Sequence, residues 1–199
     1  VILFHARFVP GGFIGVDIFY VISGFLITGL IVRELDTTGR LNLSAFYQRR
    51  IKRLLPSSVF VLFVTAIVGW FVLPAITRAS LGRDLFAAAA YISNYLFAWW
   101  QNDYQNLDAT PSPFIHYWSL AVEEQFYLVW PILMIALARY GKRAIVVGIS
   151  TITVLSLLLS IYQVQSAPIW AFYSLPTRAW ELGIGALLLF IPASLFKHR

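Results

Sequence analysis

The sequence predicts an all-α fold, a polytopic bundle of transmembrane helices. Of its 199 residues, 59% are hydrophobic and only 12% are charged, and the mean hydropathy is +0.75. Such a chain has too little polar surface to cover a soluble globule. A helix needs roughly 20 apolar residues to cross the hydrocarbon core of a bilayer. Four stretches approach that length: residues 13–32, 58–77, 117–138 and 143–162.

Two further segments are only partly suited to crossing a membrane. Segment 84–100 is rich in alanine and aromatic residues but contains Asn94, and segment 178–196 begins with Arg178 and Glu181. Polar groups inside a membrane are costly and need partners. We therefore expect these segments to be partial spans, or spans with an interior polar contact.

The two ends of the chain indicate a piece of a longer membrane protein. Residues 1–9 are typical of the end of a span, and Pro10-Gly11-Gly12 then permits a tight turn. The last apolar run, residues 182–196, is followed only by Lys197-His198-Arg199. We predict one partial helical domain over residues 1–199, with an incomplete first helix and later helices missing.

The basic residues predict the orientation of the chain. Short cytoplasmic loops are enriched in lysine and arginine, and most such residues here lie in residues 33–57, in residues 139–143 and at the C-terminal end. All three can be cytoplasmic only if segment 84–100 does not cross completely. We therefore predict that this segment is re-entrant or interfacial, with Asn94 facing protein or water.

The charge and the cysteine count exclude several classes of function. The 15 basic and 9 acidic residues give a net charge of +6, which suits an anionic membrane surface or a phosphorylated ligand. Nucleic acid is excluded as a partner by so much apolar sequence. No cysteine is present, so disulfides, thiolate metal sites and a cysteine nucleophile are excluded.

His5 and Asp17 are the first candidate catalytic pair. Both lie a few positions from the turn at residues 8–13, so they should face each other at similar depth. A carboxylate bonded to one imidazole nitrogen leaves the other nitrogen basic, as a general base acting on a hydroxyl requires. The alternative is a structural polar clamp between two helices.

A basic cluster forms the second candidate site. The segment from Ser44 to Arg53 predicts a short helix with Ser44 as its N-cap, and Arg49, Arg50 and Arg53 have spacings that place at least two guanidinium groups on one face. Forked guanidinium donors suit phosphate oxygens. The alternative is an ordinary cytoplasmic cluster that touches lipid headgroups.

The helix start after His116 contains two adjacent carboxylates, Glu123 and Glu124. Adjacent positions diverge by about 100° on a helix, so only one points into a given pocket. Tyr127, four residues later, favours Glu123 as the inward carboxylate, and Glu124 is expected at the water interface with Trp118. Neither has metal-ligand spacing with His116, so no metal is predicted. Alternatively, both acids simply complement the helix dipole.

Arg178 and Glu181 are three positions apart and are expected to pair with each other, or with Glu123 and Asp17. A helix–helix salt bridge is the alternative to a functional site. Separately, small residues permit close helix packing, which we predict at the positions Gly24, Gly183 and Gly185.

Ser23 has no obvious base beside it in the sequence. We therefore expect its hydroxyl to bond a backbone carbonyl rather than to act as a nucleophile.

Several of these strings together resemble the acyltransferase family 3 membrane proteins, which include O-acetyltransferases of bacterial lipopolysaccharide, exopolysaccharide and peptidoglycan. The similarity runs through nearly the whole chain in family order. The matching stretches are Leu3-Phe4-His5-Ala6, Gly15 to Leu26, Phe46 to Pro56, Tyr117 to Pro131 and Pro176 to Gly183.

The resemblance implies a membrane domain of roughly ten helices that moves an acyl group, usually acetyl, from cytoplasmic acyl-CoA to a glycan hydroxyl across the membrane. It assigns the essential histidine to His5, its support to Asp17, and donor handling to Arg50 and Arg53. Glu123 matches a polar interior position whose role is not separable from those of Arg178 and Glu181. No cofactor is implied; acyl-CoA is the donor substrate.

The sequence thus predicts a multi-pass enzyme of the cell inner membrane, an O-acyltransferase in which His5, oriented by Asp17, deprotonates the acceptor hydroxyl or relays the acyl group. Its partners would be membrane lipid, acyl-CoA, and a glycan or lipid-linked glycan. A transporter with an intramembrane relay through His5, Asp17, Glu123 and Arg178 is the alternative of another class. A non-catalytic scaffold is the third.

Overall fold

The computed structural model describes residues 14–100 and 112–191, and the described residues contain helices and connecting turns without a strand. The helices are α1 (Ile14–Thr38), α2 (Leu43–Val72), α3 (Ala75–Ala89), α4 (Ser93–Trp99), α5 (Tyr117–Ala138), α6 (Lys142–Ser166), α7 (Pro168–Tyr173) and α8 (Leu175–Leu188). The predicted all-α class is confirmed. Within the described residues, α1, α2, α5 and α6 are long and apolar enough to cross a membrane.

The helix α2 begins earlier than the predicted stretch 58–77 and also ends earlier, at Val72, before Pro74. Its first residue is Leu43, and the N-cap is Asn42 rather than Ser44, because the Asn42 side chain accepts a hydrogen bond from the backbone N–H of Ala45 at 3.0 Å. The basic segment and the apolar segment form one continuous helix through Pro56. The basic cluster is therefore joined rigidly to a membrane-spanning length of helix.

Side-chain contacts fix the directions of α1 and α5. The Tyr20 hydroxyl of α1 donates to the Ser119 carbonyl of α5 at 3.1 Å, and farther along the indole of Trp130 donates to the Thr28 hydroxyl at 2.8 Å. Because the residue numbers increase in the same direction along both helices, α1 and α5 run parallel.

The direction of α2 is opposite. The Tyr117 hydroxyl at the start of α5 donates to the Ser58 carbonyl, whereas Tyr47 at the start of α2 donates to the Leu128 carbonyl. The end of α2 and the start of α5 therefore lie at the same end of the bundle. The chain between them leaves that end and returns to it.

Segment 84–100 is a broken helix. The helix is interrupted by a turn at Tyr91, whose φ of 54° lies in the left-handed region. Helix α3 ends just before this turn and α4 begins just after it. Tyr91 O accepts a hydrogen bond from Gln125, which lies well inside the length of α5. The break and these contacts agree with the predicted re-entrant hairpin; whether the segment crosses, and which end of the bundle is cytoplasmic, stay predictions.

The helix α8 is wedged between α1 and α6 by the predicted glycines. A Cβ at Gly24 would overlap the backbone of Leu182, and a Cβ at Gly185 would overlap the backbone of Val21. A Cβ at Gly183 would overlap the side-chain hydroxyl of Thr153 on α6. The prediction of close packing at these glycines is confirmed.

The outer faces of the long helices are apolar and exposed. Examples are Ile18, Ile22 and Leu26 on α1, Phe60, Phe63 and Phe71 on α2, and Leu155 and Leu158 on α6. An apolar surface of this extent is suited to lipid rather than water. The chain is part of a membrane protein.

Candidate active site

Three charged residues form the first polar cluster inside the bundle. Arg178 of α8 donates to Asp17 of α1 at 2.9 Å and to Glu181 at 2.7 Å. The side chain of Glu181 is 1% exposed and that of Arg178 is 13% exposed. A buried carboxylate is costly without a partner, and Arg178 is the cation that the structure places beside Glu181.

Aromatic rings surround this arginine. Its Cζ lies 5.2 Å from the ring centroid of Phe172, 5.6 Å from that of Trp118 and 5.7 Å from that of Tyr20. The electron-rich faces attract the cation and exclude water from it. The Asp17–Arg178–Glu181 cluster is therefore enclosed on several sides.

The predicted pairing of Arg178 with Glu181 and Asp17 is confirmed, whereas Glu123 lies in a different cluster. His5 lies outside the described residues. Its pairing with Asp17 stays a prediction, and Asp17 already has one carboxylate oxygen bonded to Arg178.

The second polar cluster joins a serine, a carboxylate and a tyrosine. Ser23 of α1 donates to Glu123 Oε1, the Tyr127 hydroxyl donates to the same oxygen, and the two hydroxyls contact each other. Glu123 and Ser23 are both buried. The prediction that Ser23 bonds a backbone carbonyl with no base nearby was wrong, because the tertiary structure brings a carboxylate from α5 against it.

Glu124 also points inward, which corrects the expectation that it sits at the water interface with Trp118. It accepts a hydrogen bond from Arg50 of α2 at 3.0 Å, and Trp118 is buried. The guanidinium of Arg50 stacks on the ring of Tyr127 with 3.2 Å between its Cζ and the ring centroid. Glu123 and Glu124 both form interior hydrogen bonds because Glu123 faces α1 and Glu124 faces α2.

The three predicted donor-site arginines separate in the structure. Arg50 points into the bundle, Arg49 pairs with Glu34 of α1 at 3.2 Å on the exposed surface, and Arg53 is exposed. Of the three, only Arg50 meets the interior polar residues.

A cavity of about 130 Å³ lies between α2 and α5 beside Arg50. Its wall is mostly apolar, with a few polar groups at one side, as is typical of small-molecule sites. Its lining residues are Tyr47, Arg50, Ile51, Leu54, Leu55, Tyr91, Glu124, Tyr127 and Leu128. Arg50 Nε is buried and has no hydrogen-bond partner among the described residues, so one donor is left for a ligand.

A polar stripe on α1 connects the two clusters. Asp17, Tyr20 and Ser23 are three positions apart and therefore lie on one face. Tyr20 is fully buried between Arg178 and the backbone of Ser119. The stripe leads from the cavity side of the bundle to the end at which His5 is predicted, and its two hydroxyls and one carboxyl group can accept and donate protons along the way.

Sequence reasoning missed Ser23, Glu124, Tyr91 and Gln125 as residues of this region. The spacing of Asp17, Tyr20 and Ser23 was a usable signal for a polar face. The other three depend on the turn between α3 and α4 and on the approach of α2, which no local pattern specifies. Among the described residues, no three His, Asp or Glu side chains come together as a metal site.

A bundle of apolar helices with buried carboxylate, hydroxyl and guanidinium groups defines a membrane-embedded protein with a polar interior site. The chain belongs to the family whose model is described as the acyltransferase domain, the family it resembles by sequence, and the match covers residues 1–195.

Curated relatives carry O-acetyltransferase names. The chain is 35% identical over 198 residues to peptidoglycan O-acetyltransferase OatA of Listeria monocytogenes, covering 96% of this chain and 32% of the relative. It is also 35% identical, over 196 residues and with the same coverage, to O-acetyltransferase OatA of Staphylococcus aureus. The chain spans about a third of the length of these relatives. No solved structure gives a significant match.

Proposed function

We propose that the protein to which this chain belongs is a multi-pass O-acyltransferase of the cell inner membrane, which moves an acetyl group from acetyl-CoA to a hydroxyl of a cell-surface glycan. The observation that carries the proposal is the family match over residues 1–195 together with the two relatives. Since one relative's name specifies peptidoglycan, the acceptor we propose is a cell-wall glycan.

The positions of the polar groups support separate donor and acceptor sites at opposite ends of the bundle. The basic end of α2, predicted to be cytoplasmic, leads to the cavity at Arg50, where the donor's acyl end would bind with its carbonyl oxygen near the guanidinium. Asp17 lies toward the opposite end of α1, where His5 is predicted and the acceptor glycan would bind.

The reaction we propose breaks the bond between the acyl carbon and the CoA sulfur and forms an ester with the acceptor oxygen. In either route the acyl arm has to reach His5 through the bundle. In direct transfer His5 takes the proton from the attacking hydroxyl. In a relay the His5 imidazole first attacks the acyl carbon and releases the CoA thiolate, and the acceptor hydroxyl then breaks the acyl–nitrogen bond and leaves its proton on the imidazole. The CoA thiolate leaves and is protonated by water on the donor side. Glu123 of α5 accepts hydrogen bonds from the hydroxyls of Ser23 and Tyr127, so it can exchange protons with the stripe at Ser23.

The first test is transfer of labelled acetyl from acetyl-CoA to wall or lipid-linked glycan in membranes containing the full-length protein. We expect labelling by the unsubstituted protein and a loss of 10²-fold or more, the order of general base catalysis, for His5→Ala at matched abundance. Equal labelling by both would remove His5 from the chemistry. Absence of labelling from both would contradict the donor or the acceptor and favour the transporter instead.

A second prediction concerns Arg50. In Arg50→Lys we expect the KM for acetyl-CoA to rise about tenfold with little change in kcat, because an ammonium group keeps the charge but loses the forked donors worth roughly 1.5 kcal/mol. Arg143→Lys, an exposed change on α6, is the matched control and should leave the KM unchanged. No rise in Arg50→Lys, or an equal rise in both variants, would mean that the forked donors of Arg50 do not bind the donor substrate.

A further inference from the structure

The cavity beside Arg50 has a mouth and an inner wall. Three of its apolar lining residues, Ile51, Leu55 and Leu128, are 47–61% exposed and form the mouth. The inner wall consists of partly or fully buried groups on α5 together with Tyr91. A ligand that enters at the mouth therefore meets Tyr91 on the way in.

Tyr91 is held in an unusual backbone conformation. Its φ of 54° makes it the one non-glycine residue with positive φ among the described residues. This region is unfavourable for an L-residue, and such strain persists only where the surrounding structure enforces it. The surrounding structure therefore enforces the backbone turn at Tyr91, a residue that lines the cavity.

The side-chain amides of Gln125, which is partly buried, and Asn94, which is fully buried, hold this turn in place. Gln125 of α5 donates to Tyr91 O at 2.8 Å and to Asn94 Oδ1 at 2.9 Å. Asn94 is fully buried and donates onward to Tyr173 O at 3.0 Å. The turn between α3 and α4 is thus fastened to both α5 and α7 by fully used hydrogen-bonding groups.

We propose that Tyr91 limits the length of the acyl group that the protein transfers, and that Gln125 and Asn94 are positioning residues that hold Tyr91 in the cavity wall. The inference rests on the proposed function, since it takes the cavity as the site of the donor's acyl end. A dry cavity of 150 Å³ can hold a benzene-sized molecule. The cavity of about 130 Å³ is slightly smaller, so it suits acetyl and its near homologues, whereas an extended six-carbon chain is longer than a benzene ring and would reach the wall at Tyr91.

The test uses the full-length protein and compares acetyl-CoA with hexanoyl-CoA. Tyr91→Gly removes the wall and also relieves the backbone, since glycine adopts positive φ without strain. We expect the ratio of kcat/KM for hexanoyl-CoA to that for acetyl-CoA to rise at least tenfold. Tyr91→Asn, which also tolerates this region, should raise the ratio in the same direction if the glycine variant is not recovered.

Two controls separate a specificity role from a structural one. Tyr91→Phe retains the ring and should leave the ratio within twofold of the original. Gln125→Met should raise the ratio by loosening the turn, whereas Gln48→Met, on the exposed surface of α2, should not. Equal loss of activity with both donors in Tyr91→Gly would show a purely structural role and overturn the inference.

The outcome also distinguishes the two proposals. If the unsubstituted protein transfers acetyl and the ratio does not move in Tyr91→Gly, the inference fails while the proposed function stands. If the unsubstituted protein transfers from neither donor, both fail.

Discussion

Replacement of Arg178 by methionine is expected to destabilise the protein by about 3–5 kcal/mol, the cost of removing one partner from a buried ion pair. Methionine keeps most of the apolar length of the side chain, so the loss reports the charge. Glu181, with 1% of its side chain exposed, would be left without its cation, and Asp17 would lose the same partner. The measurement is the thermal midpoint of the detergent-solubilised full-length protein, by size-exclusion chromatography after heating.

The matched control is Lys142→Met. Lys142 also pairs with an aspartate, Asp36 at 2.9 Å, but the two side chains are 73% and 46% exposed. An exposed pair contributes at most about 1 kcal/mol, so this variant should lose little. Arg178→Met combined with Glu181→Gln should recover part of the stability, because the buried orphan charge is gone. Similar losses in Arg178→Met and Lys142→Met would refute the assignment of Arg178 as the interior counter-ion.

Alanine at Gly24 is expected to be one of the most damaging single-methyl additions among the described residues. Its Cβ would lie 2.8 Å from the Cα of Leu182 and closer still to the carbonyl group. Backbone atoms cannot rotate away as a side chain can, so α1 and α8 must separate. Overpacking of this kind costs about 1–3 kcal/mol and sometimes more. We expect a lower thermal midpoint and, since Asp17 and Arg178 lie on the same two helices, a fall in acyl transfer.

Gly185→Ala should behave like Gly24→Ala, because its Cβ would meet the backbone of Val21 on the same interface. The control is Gly82→Ala on α3, where a Cβ would have nothing within 4 Å. There the change should stabilise by about 0.5–1 kcal/mol through helix propensity. Full stability in Gly24→Ala would contradict the close contact of α1 with α8, and a loss at Gly82 equal to that at Gly24 would mean that the Gly24 loss does not report this contact.

The helices themselves were largely predictable. The four long helices match the four apolar stretches because a span must satisfy its own backbone and present an apolar surface along its whole length. The start of α2 was not predicted. The sequence predicts a separate short helix for its basic first part. In the structure the helix begins after the cap at Asn42 and continues through Pro56, so the basic and apolar parts form one helix.

The candidate site was predicted in part. Asp17, Arg178 and Glu181 were correctly expected to pair, because a charge in an apolar segment must find a partner and few charges are available. The direction of Glu124 was not, because helix geometry specifies only that it diverges from Glu123 by about 100°. Whether that direction leads to water or to protein depends on which helix lies there.

The sequence alone determined the class of protein and the positions of the long apolar helices. It also determined the glycines that permit close packing and most of the interior polar residues. Each follows from the cost of polar groups in lipid, which acts on every residue whatever its distant neighbours are. The tertiary structure alone decided the partner of Ser23, the approach of Arg50 to Glu124, and the turn that brings Tyr91 to the cavity. These depend on contacts between residues about 30 to 100 positions apart, which form only when the helices pack.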